Sequence, residues 1–219
     1  MLEGKCMFEE VVRLINYIGE LHKSFSEYFF SGHVSFNLKR TEIEDIIGDS
    51  TYDENFILLL DDYIEELSLF LIFNVFASKS QDVETRMRNK VRESVLNKIF
   101  YYRSGDDKGK IAVQKSLNDL LGFRIVLNTR KSYEELFEEI RQSDDVCVSL
   151  FRPYIRKDEE YSAIHIYFKS DDNRYFPWEL QIWKQSDAVS NENSHRNHKE
   201  KRKYINWTEI YKDNKHREE

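Results

Sequence analysis

The spacing of apolar residues changes near Asp82, and this change limits the folds that the chain can adopt. Before it, apolar side chains recur every three or four residues at positions 8–18 and again at about 55–76, as in amphipathic helices. After it, several short segments alternate between apolar and polar residues, which is typical of strands. The mixture predicts an α+β fold, in which a mixed sheet is flanked by helices and preceded by an N-terminal helical region.

The second part of the chain predicts individual elements. Strands are expected at residues 83–90, within 117–127 after a turn, and at 146–151, 161–169 and 175–183. Helices are expected at 94–101 and 133–140, with a loop at 103–110. Residues 187–204 form a polar end without a wide apolar face, and residues 50–53 offer caps for the second long helix.

The charged residues are also distributed unevenly along the chain. The chain of 219 residues has a net charge of −7, but residues 1–82 contain 6 basic and 16 acidic side chains, so the remainder carries +3. An acidic chain is a poor general binder of nucleic acid, because phosphates need a basic surface. With 40% hydrophobic residues, 15 Phe and 13 Tyr, the chain has ample material for a packed core.

The two cysteines and the apolar runs predict a cytoplasmic protein. Cys6 and Cys147 cannot form a disulfide framework and have no zinc-like spacing, so we expect free thiols in a reducing compartment. The N-terminus has acids where a signal peptide needs bases and an apolar run. The longest apolar stretch, residues 67–77, is too short to cross a bilayer, so no membrane association is expected.

A basic strand followed by a helix start forms the first candidate motif. Alternation places Arg86, Arg88 and Lys90 on one face of the strand, and Ser94 and Lys98 follow at the start of the next helix. Cations beside a helix N-terminus favour polyphosphate, although an ordinary solvated surface accounts for the same pattern.

Carboxylates on two further strands form the second candidate motif. Asp119 precedes a strand, Gly122 permits a close approach to a ligand, and Arg124 follows. Glu179 and Gln181 share one face of the last strand among apolar neighbours. Two carboxylates from different strands are typical equipment for Mg²⁺ that holds nucleotide phosphates.

Taken in order, these motifs resemble the synthetase domain of the RelA/SpoT family. The resemblance covers residues 83–204 and includes Tyr161-x-x-x-His165, where alternation puts both side chains on one face. It implies a nucleotidyltransferase-like fold with about five strands. It also implies an activity, the transfer of the β,γ-pyrophosphate of ATP to the 3′-hydroxyl of GDP or GTP, which yields ppGpp or pppGpp and AMP.

The resemblance assigns the ATP side of the site to basic residues. It implies that Arg88 and Arg124 sandwich the adenine, a task that suits planar guanidinium groups. It implies that Lys90, Ser94 and Lys98 bind the phosphates.

The resemblance assigns the metal and the acceptor to other residues. It implies that Asp119 and Glu179 bind Mg²⁺, with Glu179 also a base for the acceptor hydroxyl. Tyr161 would stack on the guanine of the acceptor, and His165 and Gln181 would lie on the acceptor side.

A motif near the C-terminus is matched less well. His195-x-x-His198-Lys199 is similar to a His-x-x-Tyr-Lys pattern of the family, with His198 in place of Tyr. The resemblance implies that His195 and Lys199 contact acceptor phosphates, while an ordinary surface helix is the alternative.

Two departures from the family pattern leave the acceptor open. Ser162 and Trp183 stand where the family usually has arginines. The departures are similar to a divergent branch that includes toxins, which pyrophosphorylate the 3′-terminal adenosine of tRNA and are neutralised by an antitoxin protein. The basic segments 103–110 and 198–204 could contact a tRNA backbone or simply be solvated. A catalytically inactive nucleotide-binding module is a third hypothesis.

The same reasoning divides the chain into three parts. Residues 1–82 are expected to be an acidic helical region, 83–205 the catalytic domain, and 206–219 a tail. The His-Asp dipeptide of the family's hydrolase domain is absent from the sequence, which favours a protein with synthetase activity alone. Because small synthetases of this family are often tetrameric, a homo-oligomer is among the expected assemblies.

Overall fold

A computed structural model describes residues 2–48, 51–147 and 153–201. The elements, in chain order, are α1 (Leu2–Gly32), α2 (Ile43–Ile46), α3 (Glu54–Phe73), β1 (Val83–Asn89), α4 (Arg92–Ser104), α5 (Val113–Ser116), β2 (Leu121–Leu127), α6 (Tyr133–Gln142), β3 (Tyr154–Asp158), β4 (Tyr161–Phe168), β5 (Trp178–Lys184) and α7 (Ala188–Lys201). None of the helices in these ranges is long and apolar enough to cross a membrane.

The five strands form one mixed sheet in the order β1-β2-β5-β4-β3. The central pair, β2 and β5, is parallel, and the other three pairs are antiparallel. The predicted α+β class with a five-stranded mixed sheet, flanking helices and an N-terminal helical region is confirmed.

The N-terminal helices share one hydrophobic core with the sheet. Phe25 of α1 packs edge-on against Tyr63 of α3, with ring centroids 5.2 Å apart, and both side chains are fully buried. Trp178 of β5 donates its indole N–H to the Tyr63 hydroxyl at 2.8 Å, which satisfies both buried polar groups. Asp53 caps α3 by accepting from the N–H of Phe56, as the sequence predicts.

The other face of the sheet carries the predicted site residues. Residues directly opposite each other on paired strands point to the same face. The register pairs Arg88 with Gly122, Gly122 with Glu179, and Glu179 with Tyr167. The same face therefore collects side chains from four strands, while the opposite face of each strand enters the main core.

The edge strand β3 differs from the sequence prediction. A strand was expected at 146–151, but Val146 and Cys147 lie outside any strand, and residues 148–152 lie outside the described ranges. The strand lies at Tyr154–Asp158 instead, where it pairs with β4 through a tight turn. Its side chains are largely exposed, so no apolar alternation marks it.

The predicted polar end contains a helix, α7. Its charged and amide side chains show almost no apolar stripe, but Asn191 is fully buried and anchors it to β4. The side-chain amide of Asn191 accepts from the N–H of Ser162 and donates to its carbonyl oxygen, at 3.0 and 2.9 Å. These polar contacts, rather than an apolar face, hold the helix against the sheet.

Candidate active site

Two lysines converge on one carboxylate at the start of β2. Lys90 directly follows β1, Lys98 lies on α4, and Asp119 lies two residues before β2. Lys90 Nζ lies 2.5 Å from Asp119 Oδ2, and Lys98 Nζ lies 2.8 Å from Asp119 Oδ1. Both carboxylate oxygens are thus paired with ammonium groups, and the three residues that the sequence placed on the phosphates and metal lie together.

Burial and charge set the ionisation of this cluster. Burial lowers the pKa of Lys90 to about 8, with the charge of Lys98 adding to the shift and that of Asp119 opposing it. Burial raises the pKa of Asp119, but the charges of the two lysines outweigh it and leave that pKa below its ordinary value. With all three groups ionised the cluster carries one net positive charge, which suits an anionic ligand.

Two other predicted ATP-side residues border the cluster. Ser94 lies in the first turn of α4, where its N–H donates to the carbonyl oxygen of Val91 at 3.0 Å. Arg88 lies on β1 opposite Gly122 and is exposed. The basic strand, the helix start and the lysine pair therefore occupy one corner of the sheet, and their binding of ATP stays a prediction.

A hydrogen-bond network surrounds the second carboxylate, Glu179. Its Oε1 accepts from His165 Nδ1 and from the Tyr167 hydroxyl, both at 2.9 Å, and its Oε2 accepts from the Gln181 amide at 2.9 Å. Since a carboxylate oxygen can only accept, Nδ1 of His165 donates to Glu179, and Nε2 of the same ring lies 3.0 Å from the Tyr161 hydroxyl. The network fixes Glu179 on the sheet face before any ligand arrives.

The ionisation of the network follows from burial. Burial raises the pKa of Glu179, but the hydrogen bond and charge of His165 outweigh it and leave the pKa below its ordinary value. Burial also raises the pKa values of Tyr161 and Tyr167, so both hydroxyls stay protonated. Glu179 is therefore an ionised carboxylate surrounded by donors.

The predicted stacking residue Tyr161 is buried. It is 5% exposed, with the guanidinium of Arg156 lying 5.2 Å from its ring centre and Trp183 and His195 in edge contact. A cavity of about 650 Å³ opens beside it, between the β3–β4 turn and α7. Stacking of Tyr161 on an acceptor base stays a prediction.

Arg124, predicted to contact the adenine, makes two further contacts. Its guanidinium carbon lies 3.4 Å from the ring centre of Trp183, and its Nη1 lies 2.8 Å from Glu192 Oε1 on α7. The same carboxylate oxygen pairs with Arg86 at 2.7 Å. Arg124 is thus fixed by residues that the motifs do not include.

The C-terminal candidates are placed only in part. His195 packs parallel to the ring of Trp183, with centroids 5.5 Å apart. Burial, helped by the charge of Arg124, lowers the pKa of His195 to about 4, so its ring is neutral at pH 7. Lys199 belongs to α7, but its side chain lies outside the described part of the chain, and its role stays a prediction.

Comparisons with known proteins decide the family. A family model for the region found in RelA/SpoT proteins matches residues 87–204, more than half of the chain. The chain belongs to the RelA/SpoT family. No curated protein matches the chain.

Among solved structures, the family domain is similar to small alarmone synthetases. Small alarmone synthetase 1 from Bacillus subtilis shares 19% identity over 72% of this chain and 85% of its own, with a TM-score of 0.38. Small alarmone synthetase 2 from the same organism shares 18% over 67% and 80%, with a TM-score of 0.36. A GTP pyrophosphokinase family protein from Streptococcus pneumoniae shares 17% over 73% and 85%, with a TM-score of 0.39.

The carboxylates of this RelA/SpoT domain are suited to Mg²⁺. Within residues 2–48, 51–147 and 153–201, no three His, Cys, Asp or Glu side chains form a ready-made metal site. Mg²⁺ does not require one, because it commonly uses one or two carboxylates and completes its shell with waters and substrate phosphates. Asp119 lies just before β2, Glu179 lies on the adjacent β5, and the charge of Asp119 acts on Glu179, so the two carboxylates offer that donor set.

Three residues of the site were missed by the sequence reasoning. Tyr167 continues the alternation of Tyr161 and His165 by one step, so the signal was available. Glu192 carried no local signal, because only the packing of α7 brings it to Arg124. Trp183 was noted only as a substituted arginine, and its stacking beneath Arg124 depends on the β2–β5 register.

Proposed function

We propose that this protein is a pyrophosphokinase that transfers the β,γ-pyrophosphate of ATP to the 3′-hydroxyl of GDP or GTP. The observation that carries the proposal is the pairing of Asp119 with two lysines beside the buried, ionised Glu179. A family domain with a net positive lysine–carboxylate cluster and a second carboxylate on the adjacent strand is suited to this reaction.

The ATP side would work by charge and position. Lys90 and Lys98 leave Asp119 and bind the migrating phosphates, while Arg88 and Arg124 hold the adenine. This exchange would free the Asp119 carboxylate. Asp119 and Glu179 would hold Mg²⁺, which would offset negative charge on the phosphates. The exchange makes metal and nucleotide binding mutually dependent.

The acceptor side would position the hydroxyl. The 3′-oxygen forms a bond to the β-phosphorus, the bond from that phosphorus to the α,β-bridging oxygen breaks, and AMP leaves. The hydroxyl proton passes to Glu179, whose orientation is set by His165 and Tyr167. Because phosphoryl transfer requires little help from a strong base, a carboxylate with a low pKa is adequate.

A direct assay with labelled ATP tests the proposal. The purified protein is incubated with Mg²⁺ and ATP labelled on the γ-phosphate, together with GDP, GTP or bulk tRNA. We expect label in the guanine nucleotide and an equal amount of AMP. Absence of AMP with every acceptor, despite ATP binding, would contradict an enzymatic role and favour the inactive nucleotide-binding module.

The 3′ end of tRNA is the second candidate acceptor, and the replacement of two family arginines by Ser162 and Trp183 favours it. The cavity beside Tyr161 is lined by three acids against a single base, so it disfavours phosphates from either acceptor and does not choose between them. Label in tRNA rather than in GDP or GTP would establish this alternative. A protein antitoxin would then be an expected partner.

A further inference from the structure

We infer that Trp183 and Glu192 are positioning residues that fix Arg124 as one wall of the ATP base pocket. The inference rests on the proposed function, since it assigns the pocket to ATP. It concerns Trp183, which stands in place of a family arginine, and Glu192, which no motif includes, and both act through Arg124 rather than on the nucleotide.

Trp183 supplies a rigid surface beneath Arg124. The guanidinium carbon lies 3.4 Å from the indole centre, at the distance of direct face-to-face stacking. The indole itself is fully buried in a small cluster with Val126, Tyr161 and Ala163. The indole also stacks nearly parallel to His195, at 20° between the planes. Arg124 therefore rests on a surface that has little freedom to move.

Glu192 restrains the end of the same side chain. Its Oε1 lies 2.8 Å from Arg124 Nη1, and carboxylates pair with guanidinium groups at the edge of the plane. An edge contact and one stacked face leave the second face of the guanidinium available to a planar ligand. The Arg124 side chain is 21% exposed, so it is accessible as well as restrained.

One hydrogen-bond donor of Arg124, its buried Nε, is left without a partner in the described part of the chain. A purely structural arginine at this depth would be expected to use all its donors. The arrangement instead resembles a side chain that is held at one edge and one face for use by a ligand.

A matched pair of variants tests the role of Glu192. Glu84 and Glu192 each accept from Arg86 at 2.7 Å and are similarly exposed, but only Glu192 contacts Arg124. We expect Glu192→Gln to weaken binding of the ATP analogue AMPCPP by about fivefold and Glu84→Gln to leave it unchanged. With saturating ATP, Glu192→Gln should retain most of the wild-type kcat, so the effect falls on KM for ATP.

Trp183 is tested by fluorescence and by a conservative variant. Wild-type emission should change on AMPCPP binding, and Trp183→Phe should lose that change while the other two tryptophans still emit. Trp183→Phe should weaken AMPCPP binding less than Trp183→Leu, because the phenyl ring retains an aromatic face. Circular dichroism and thermal midpoints confirm that each variant is folded.

The outcomes separate this inference from the proposed function. If the wild type does not bind AMPCPP, the proposed function fails. If the wild type binds and Glu192→Gln behaves like Glu84→Gln, only the positioning role is overturned. Tighter binding by Glu192→Gln would also overturn it, because Glu192 would then withhold Arg124 from the nucleotide.

Discussion

The ATP side and the acceptor side of the site are built from different interactions. The ATP side is a group of ion pairs, in which Lys90 and Lys98 neutralise Asp119. The acceptor side is a chain of hydrogen bonds, in which His165 and Tyr167 donate to Glu179. Ion pairs can exchange partners when a charged substrate arrives, whereas the hydrogen bonds are already in place. Under the proposed function, the ion pairs of the ATP half would exchange partners when nucleotide binds, whereas the hydrogen bonds of the acceptor half are preformed.

The largest expected effect comes from Asp119→Asn, which tests the exchange on the ATP side. Pyrophosphate transfer should fall by about 1,000-fold or more with Mg²⁺ present, because one of the two carboxylates proposed to hold Mg²⁺ is lost. Binding of AMPCPP without metal should become tighter, because the two lysines lose their competing counter-ion.

Single-turnover assays and calorimetry in EDTA measure these two effects, with Glu179→Gln as the matched variant. Glu179→Gln should also abolish transfer but should not tighten metal-free binding, since Glu179 pairs with no lysine in the described structure. Near-normal transfer by Asp119→Asn, or weaker metal-free binding, would contradict the exchange.

The second prediction concerns the helical scaffold that supports both sides of the site, through its buried residue His22. His22 of α1 is buried, donates from Nε2 to the carbonyl oxygen of Phe176 and contacts Trp178 edge-on. Burial lowers the pKa of His22 to about 4 from 6.5, so the unfolded chain binds more protons between these values. The free energy of unfolding is therefore not reduced by His22 above pH about 6.5. It decreases as the pH falls toward 4, by about 3 kcal/mol in all.

Urea unfolding at a series of pH values checks this prediction. His22→Leu removes the titrating group, so the slope of the unfolding free energy between pH 4 and 6.5 should decrease by up to one proton. Wild type should lose ATP binding and acceptor use together as it unfolds. An unchanged slope in the variant would show that His22 does not control acid stability.

A smaller effect is expected from His165→Leu, which tests the preformed acceptor side. The variant removes one donor to Glu179, and we expect kcat/KM for the acceptor to fall by about 10- to 100-fold. The affinity for AMPCPP should stay within about twofold of wild type, because the ATP side is held by separate contacts.

Rescue identifies the cause of that loss. His165→Asn restores an N–H near the position of Nδ1 and should recover part of the acceptor kcat/KM. Initial rates at varied acceptor, with calorimetry for AMPCPP, give both quantities. Equal loss of ATP affinity in His165→Leu would show that the two halves are not separate.

The smallest effect concerns the scaffold alone. Tyr63→Phe leaves the buried indole N–H of Trp178 without its acceptor, and should destabilise the fold by about 1–3 kcal/mol. Activity per folded molecule should not change. Chemical denaturation measures the first quantity, and a selective loss of acceptor use would contradict the assignment of Tyr63 to the scaffold.

Much of the fold was predictable because local periodicity reports burial. Alternation located β1, β2, β4 and β5, since each has one face in the main core. It could not locate β3, whose residues Arg156, Lys157 and Asp158 are exposed at the sheet edge. It also could not show α7 as a packed helix, because buried Asn191 and a carboxylate, rather than apolar residues, anchor it.

The candidate site also contains residues that the sequence could predict and residues that it could not. Asp119, Lys90 and Lys98 were assigned to one site through the family resemblance of their motifs, and the structure brings them together, but their ion pairing was not predicted. The partners of Arg124 could not be predicted, because Trp183 and Glu192 reach it through long-range strand register and helix packing. Burial of Tyr161 was likewise invisible, since alternation gives a face and not the neighbours above it.

The most direct test of the account is the fate of the label in γ-labelled ATP incubated with the wild-type protein, Mg²⁺ and GDP or GTP. The account predicts that label enters the guanine nucleotide and that AMP appears in equal amount. Release of labelled inorganic phosphate with ADP as the only other product would contradict it, because bond cleavage would then occur at the γ-phosphorus rather than at the β-phosphorus.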